Sequence, residues 1–491
     1  MQKNQTSFTS TQGQATRLIS PGSFEIEDHY YPKVQNAHLH PIVRNFLALG
    51  NERIATRYCH LHPQVDPEVV RDVLRSCPSR FRWGGADLFA VTNDRGQRRI
   101  VVVETNSCPS GQKSMPFDEG AGETSGYKRL IQGSFLPLTR QRGLPKGRLA
   151  VIYDKNLMEA SGYAATIADL TGEDVFLAPC FADDPAPQVR VGSTGILEVL
   201  FEEDWYPVRC AFRYVTQRPW TRLPPLLRTA VYNPVVTCLA GGRNKLVAAK
   251  AYDLYNAELV RRTSGLAIQT PTTQIDVGLE MVPIWIRQMG GLAVVKNPYS
   301  NAGQGVWTIT NEAELEQFLA LEHRYDRFIV QALIGNHNWS SLSEEGRLYH
   351  LGTLPDRRGS IYVADLRLMV AAGPEGFFPV ALYARRAANP MSRDLNEGNA
   401  SWPMLGTNLS QRHDDGWSSD TSRLILMDSR EYNRLGLGLD DLIEGYMQAV
   451  LSVQAIDSMA SSLLTKRGRF RKRLFAQLNP DPSLLDEVIT L

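Results

Sequence analysis

The chain has 491 residues, 43% hydrophobic and 21% charged, a composition of globular proteins, and its length suits roughly two to four packed units. Its 53 basic and 52 acidic residues nearly cancel, which excludes a long-range field that would draw in nucleic acid or an anionic membrane, so phosphate binding must be local. Six scattered cysteines, Cys59, Cys77, Cys108, Cys180, Cys210 and Cys238, form no CxxC pair, which speaks against a disulfide framework or a thiolate zinc site.

The amino terminus, MQKNQTSFTSTQGQ, is polar and lacks a signal-peptide core, and no run of about 18 apolar residues occurs. A cytoplasmic protein with a mobile leader over 1–25 is expected. From about 28 to 79 apolar residues recur at three and four spacing in PIVRNFLALGNERIATRY and PEVVRDVLRS, predicting two helices. ADLFAVT and RRIVVVETN, joined by NDRG, predict an antiparallel hairpin. Helices and hairpin make a first unit, 26–140.

RLAVIYD, a helix-like SGYAATIADLTG and DVFLAP then alternate as a small α/β domain does, over 145–232. A larger α+β domain spans 233–465. It opens with the helical NKLVAAKAYDLYNAELVRR and continues with strands LAVVKNP, RFIVQALI, YVADLRLMVAA and FPVALYARRA. The basic segment KRGRFRKRLF lies in a tail, 466–491, and reads as a solvated helix face.

Three stretches can carry chemistry. In VVKNPYSNAGQGVWTI a strand delivers Lys296 to a loop containing Gly303, Gln304 and Gly305. Glycines let backbone N–H groups approach phosphate oxygens, and the ammonium neutralises charge; a plain Gly-rich hairpin is the alternative. The stretch matches neither GxxxxGK[ST] nor GxGxxG. The apolar strand ending at Gln331 reads either as a hinge that holds a base or as a core strand.

The predicted hairpin sets Asp87 on one strand and Glu104 and Asn106, two apart and so on one face, on the other. Three oxygen donors suit Mg²⁺; an ordinary polar hairpin face is the alternative. Asp365, Arg367, Arg385 and Arg386 interrupt two apolar strands, and guanidinium groups there suit phosphoryl or carboxylate oxygens, or a salt bridge to Asp365. Asn399 and Ser401 follow in a polar loop.

Taken together over roughly 80 to 410, these pieces resemble the ATP-grasp superfamily, in the order of its circularly permuted members related to the synthetase part of glutathionylspermidine synthetase. RLAVIYD opens the small domain, RNKLVAAKAYDLY with TPTT matches the early lysine helix, VVKNPYSNAGQGV the flap, FIVQALI the hinge, and DLRLMV and ALYARR the following strands. The final Asp…ExN segment stands instead near the amino end, closed by NSCPSG.

The resemblance implies a permuted ATP-grasp fold with a small α/β domain preceding the ATP site, and an ATP-dependent ligase joining a carboxylate to an amine through an acyl phosphate. Amino acids or short peptides are the first guess for the substrates. It implies that Lys245 and Lys296 contact the phosphates, Gly303, Gln304 and Gly305 cover them, and Gln331, Ala332 and Leu333 hold adenine. Mg²⁺, with Mn²⁺ as an alternative, would sit on Asp87, Glu104 and Asn106. Arg367 and Arg386 would be the catalytic cations. No nucleic acid or membrane partner is expected, and a homodimer is left open. A kinase of a small hydroxyl compound and a non-catalytic nucleotide binder are the alternatives.

Overall fold

The computed structural model describes residues 14–116, 125–300, 305–343, 346–395, 400–413 and 416–489. Within the segment read as a leader, Arg17–Ile19 (β1) is paired antiparallel with Val175–Pro179. Its partner lies more than 150 residues on, so local composition gave no sign of it. The helical pattern from 41 to 58 is two helices, Pro41–Ala48 (α1) and Asn51–Leu61 (α2), because Gly50 between them has φ 74°, outside the helical range. Pro67–Arg75 (α3) starts sharply: Asp66 caps it by accepting from the Glu68 amide at 2.9 Å, and Pro67 sits where a missing N–H is harmless.

Trp83–Asn93 (β2) and Arg98–Ser107 (β3) form the hairpin, with Asn93 Oδ1 accepting from the amides of Arg95 and Gln97 at 3.0 Å to shape its turn. Asp87 stands opposite Glu104 and Gly85 opposite Asn106. Arg148–Tyr153 (β4), Leu157–Thr171 (α4), Val175–Pro179 (β5) and Asp204–Tyr214 (β6) follow; β4 lies between β5 and β6, parallel to both, in a seven-stranded sheet that β1 joins at the β5 edge.

Lys245–Arg261 (α5) is capped by Asn244, whose side chain accepts from the Val247 amide. Thr273–Gly278 (β7), Ala293–Lys296 (β8), Val306–Ile309 (β9) and Arg327–Ala332 (β10) make an antiparallel four-stranded sheet ordered β7-β10-β8-β9. Ala364–Gly373 (β11) and Gly376–Arg386 (β12) pair with each other, and β11 also pairs with β2. One sheet therefore joins strands from both ends of the chain, in the order β3-β2-β11-β12, while everything from β4 to β10 is built between them.

Beneath that sheet runs the long helix Leu439–Ser462 (α6), buried for most of its length. One continuous apolar core links the small-domain strands (Val151, Phe212) to the two-ended sheet (Leu368, Val370) and α6 (Ile456). The four-stranded sheet has a separate core of Val277, Ile286, Val295, Phe318 and Phe328. In the tail, Lys472–Leu478 (α7) and Pro482–Ile489 (α8) dock: Phe475 and Leu484 are buried, and Asp481 accepts from the amides of Asp326 and Arg327 at 2.9 and 3.1 Å. Its basic residues, including Arg467, Arg469 and Arg473, are exposed. No helix among the described residues is long and apolar enough to cross a membrane.

Candidate functional site

The site begins with strand register. Directly opposed residues on neighbouring strands share a face, and across β3, β2, β11 and β12 the opposed row reads Glu104, Asp87, Arg367, Tyr383. Two residues along the same face, Asp365 opposes Arg385. This face forms one wall of a cleft of about 910 Å³ whose other walls are the four-stranded sheet and the carboxyl end of β4.

On the two-ended sheet, Arg367 grips Asp87 with two bonds, Nε to Oδ1 at 2.5 Å and Nη2 to Oδ2 at 2.7 Å, and Arg385 Nη2 reaches Oδ2 at 3.0 Å. Burial works against the Asp87 carboxylate, but the two guanidinium groups overcome it and hold its pKa well below the usual range. Arg385 also pairs with Asp365. Arg386, which the sequence reading made a catalytic cation, does not line the cleft: in the opposite strand phase, it stacks over the Tyr362 ring at 4.4 Å. Arg385 occupies the position instead.

From the opposite wall, Lys245, the first residue of α5, comes within 3.3 Å of Glu104 Oε1 and donates to the carbonyl and hydroxyl of Ser300 at 3.1 Å. Lys296 ends β8, 6% exposed, and donates to Gln331 Oε1 at 2.7 Å. Burial pulls its pKa down to about 8 although Glu104 attracts the charged form. Gly305 lines the cleft, as do Gln331, Ala332 and Leu333. The Ala332 amide already donates to the Thr272 carbonyl and the Leu333 amide to Ser341 Oγ, both at 2.8 Å. A base edge there would have to displace the Ser341 hydroxyl or use other groups. Gly303, Gln304 and Asn399 lie outside the described residues. Ser401 does not line the cleft and is committed to Glu314 and Thr308: its hydroxyl and amide both donate to Glu314 Oε1 at 2.7 Å, and its hydroxyl also meets that of Thr308 at 2.5 Å.

Asp87 and Glu104 are oxygen donors on adjacent paired strands; the arginines take three of the roughly four acceptor sites of Asp87 and leave one on Oδ1, so the pair can fit a hard divalent cation with Glu104 as the freer ligand. The Asn106 amide oxygen accepts from Arg243 Nη1 at 3.2 Å, and would have to leave it to join a metal. Among the described residues no group of three or more His, Cys, Asp or Glu side chains is placed to hold a metal. A cation here would rest on two carboxylates, the amide and its ligand's own oxygens.

Several cleft residues escaped the sequence reading. Asp154 and Lys155 follow β4, and Lys113, Arg218, Arg243 and His350 come from a single 3-10 turn, loops and a short strand far apart in the chain. One signal was available: ligands of open α/β sheets sit beyond the carboxyl ends of the parallel strands, which here means the residues just after RLAVIY. The six cysteines are all free; Cys108 is fully buried, donates to the Arg213 carbonyl at 2.9 Å and does not line the cleft.

No protein-family model matches the chain, and no curated protein matches it. Among solved structures it is similar to a glutathione synthetase-like effector from Globodera pallida, at 9% identity and TM-score 0.37, covering 71% of this chain and 85% of that one. It is also similar to an ATP-grasp RimK-domain protein from Sphaerobacter thermophilus, at 15% identity and TM-score 0.28, covering 48% and 90%. Likeness this slight leaves the cleft to be understood from its own residues.

Proposed function

We propose that the chain is an ATP- and Mg²⁺-dependent ligase of the ATP-grasp type, in circularly permuted order, which joins a carboxylate to an amine. The observation that carries this is the 3.3 Å approach of Glu104, on the amino-terminal hairpin, to Lys245, on a cleft that Lys296 also lines. Acid and ammonium groups from segments about 140 and 190 residues apart converge where a triphosphate and its cation would meet. The shared sheet of β2, β3, β11 and β12 supports the permutation, because it gives the hairpin the place of a strand pair that could equally follow β12.

In this scheme Lys245 and Lys296 neutralise the phosphates, and Glu104, Asp87 and Asn106 would hold Mg²⁺, which would supply further charge neutralisation. Arg367 and Arg385 face the γ-phosphoryl group. The carboxylate oxygen attacks phosphorus and ADP leaves; the amine then attacks the acyl carbon, phosphate leaves with the C–O electron pair, and the nitrogen gives up a proton to the departing phosphate or to water. The work is positioning and electrostatic stabilisation, so no side-chain nucleophile is needed.

The test is ADP release from the full chain with ATP and Mg²⁺ against pooled amino acids, short peptides and polyamines, followed by mass spectrometry. Phosphate formed only when acid and amine are both present supports ligation; a stable phospho-product would make the chain a kinase. Lys296→Ala should weaken ATP binding by roughly 1.5 to 3 kcal/mol, the worth of a charged hydrogen bond in a desolvated site. Unchanged affinity in a calorimetric titration removes Lys296 from the phosphates.

A further inference from the structure

Lys245 takes its direction from the short stem that leaves β8. After Lys296 the chain passes through Asn297, Pro298, Tyr299 and Ser300. Lys245 leans on this stem twice: its amide donates to the Pro298 carbonyl at 2.8 Å, and its ammonium donates to the carbonyl and hydroxyl of Ser300 at 3.1 Å. Where the stem lies therefore decides where the lysine points.

Tyr299 ties the stem to the small α/β domain. It is 6% exposed, and its hydroxyl donates to the Thr216 carbonyl at 2.9 Å and accepts from the Arg218 amide at 2.5 Å, both in the turn that follows β6. Its ring meets Trp220 edge-on, with centroids 4.2 Å apart. Burial raises the phenol's pKa well above its ordinary value, so the hydroxyl keeps the proton it donates to the carbonyl.

The turn that receives Tyr299 is itself held. Asp154, at the carboxyl end of β4, accepts from the amides of Thr216 at 2.9 Å and Gln217 at 2.7 Å. Arg218 has φ 40°, a left-handed conformation that a residue with a side chain keeps only when its surroundings over-determine it, and the bond from its amide to Tyr299 is one such restraint. Gln217 and Arg218 line the cleft, as do Tyr299 and Ser300. A ring alone would fill the space beside Trp220; two bonds to one turn also fix the direction of the stem.

We infer that Tyr299 is a positioning residue for Lys245: its hydroxyl, bonded to the turn at 216–218, holds the stem so that the ammonium meets Glu104 and the nucleotide phosphates. The inference rests on the ligase reading for what Lys245 touches, but the hold on Lys245 stands on bonds within the chain.

The experiment uses Tyr299→Phe in the full chain, which keeps the ring and removes both bonds. Titrated calorimetrically with ADP and Mg²⁺ below its melting temperature, it should bind ADP about three- to tenfold more weakly, the order of one loosened charged contact. On a Lys245→Met background the same substitution should change ADP affinity little further, because the group it acts through is gone. Equal losses on both backgrounds, or an unchanged affinity in Tyr299→Phe alone, overturn the positioning role and leave the nucleotide reading standing. A second readout needs no ligand. Lys245, with a side chain 9% exposed, should be acetylated by a limiting amine-reactive reagent several-fold faster in Tyr299→Phe, as read by mass spectrometry. Lys113, 5% exposed and lying over the Tyr31 ring, should react at an unchanged rate. If both lysines speed up together, the fold has loosened as a whole and the role fails. If ADP does not bind even the unaltered chain, the nucleotide reading fails, and the labelling alone decides whether Tyr299 holds Lys245.

Discussion

His350 stands edge-on to Phe89 in the cleft wall, ring centroids 4.4 Å apart, with no partner for its Nδ1. Burial pulls its pKa to about 3, so the imidazole is neutral in the fold but takes a proton in the unfolded chain below its ordinary value of 6.5. Stability is therefore lost as pH falls from that value towards 3. His350→Phe removes the orphaned nitrogen, and should keep or raise stability at neutral pH by about 1 kcal/mol while flattening the acid limb. Urea melts at several pH values check it; a marked loss at pH 7 would mean the imidazole is held by more than packing. Glu104→Gln keeps the shape and should leave the melting temperature close to wild type while abolishing Mg²⁺-dependent turnover; a fully active variant removes Glu104 from the metal site. At this scale the sequence was legible where strand phase decides. Glu104 and Asn106 share a face as their spacing requires, and the same rule, applied to Arg385 and Arg386, allows only one of them to face the cleft with Arg367. Lys113, Lys155, Arg243 and His350 were not legible, because no spacing relates residues that only the fold brings together.

Strands and helices depend on close approaches between elements. A Cβ at Gly84 on β2 would lie 2.6 Å from Val453 Cγ2 of α6, so the bare backbone is what lets the helix lie against the sheet. Gly84→Ala should cost about 1 to 3 kcal/mol through overpacking, and Val453→Ala in the same chain should return part of it. A double-mutant cycle in chemical denaturation checks this; strict additivity would show that the two do not meet. Most strands were legible from their apolar runs: β8 and β10 fall within the stretches that periodicity marks, and β11 and β12 run only one or two residues beyond them. The break at Gly50 was hidden because apolar spacing runs straight through it, and β1 because three residues carry no pattern until β5 is beside them.

For the whole molecule, two apolar cores lie on either side of the cleft, and the smaller belongs to the sheet that carries Lys296. A lobe with its own core can rock as a unit while breaking few contacts of the larger one, chiefly those of Ile329, Tyr299 and Tyr325. ATP with Mg²⁺ should therefore slow amide exchange in β7 to β10 more than in β4 to β6, and exchange equally slowed everywhere would argue against a moving lobe. The two-ended sheet has a different consequence, for the order in which the chain can be made. β2 and β3 leave the ribosome early, yet the partner of β2, with Leu88 facing Leu366 and Trp83 facing Ala371, is synthesised some 280 residues later. At roughly 5 to 20 residues per second the nascent hairpin waits many seconds with one edge unpaired, although Tyr163, Phe212 and Tyr232, which cover Trp83, are made sooner. Such an edge is a template for pairing with other chains, so shielding of residues 83–107 during synthesis, by chaperone or by the helices α1 to α3, would favour the cleft over aggregation.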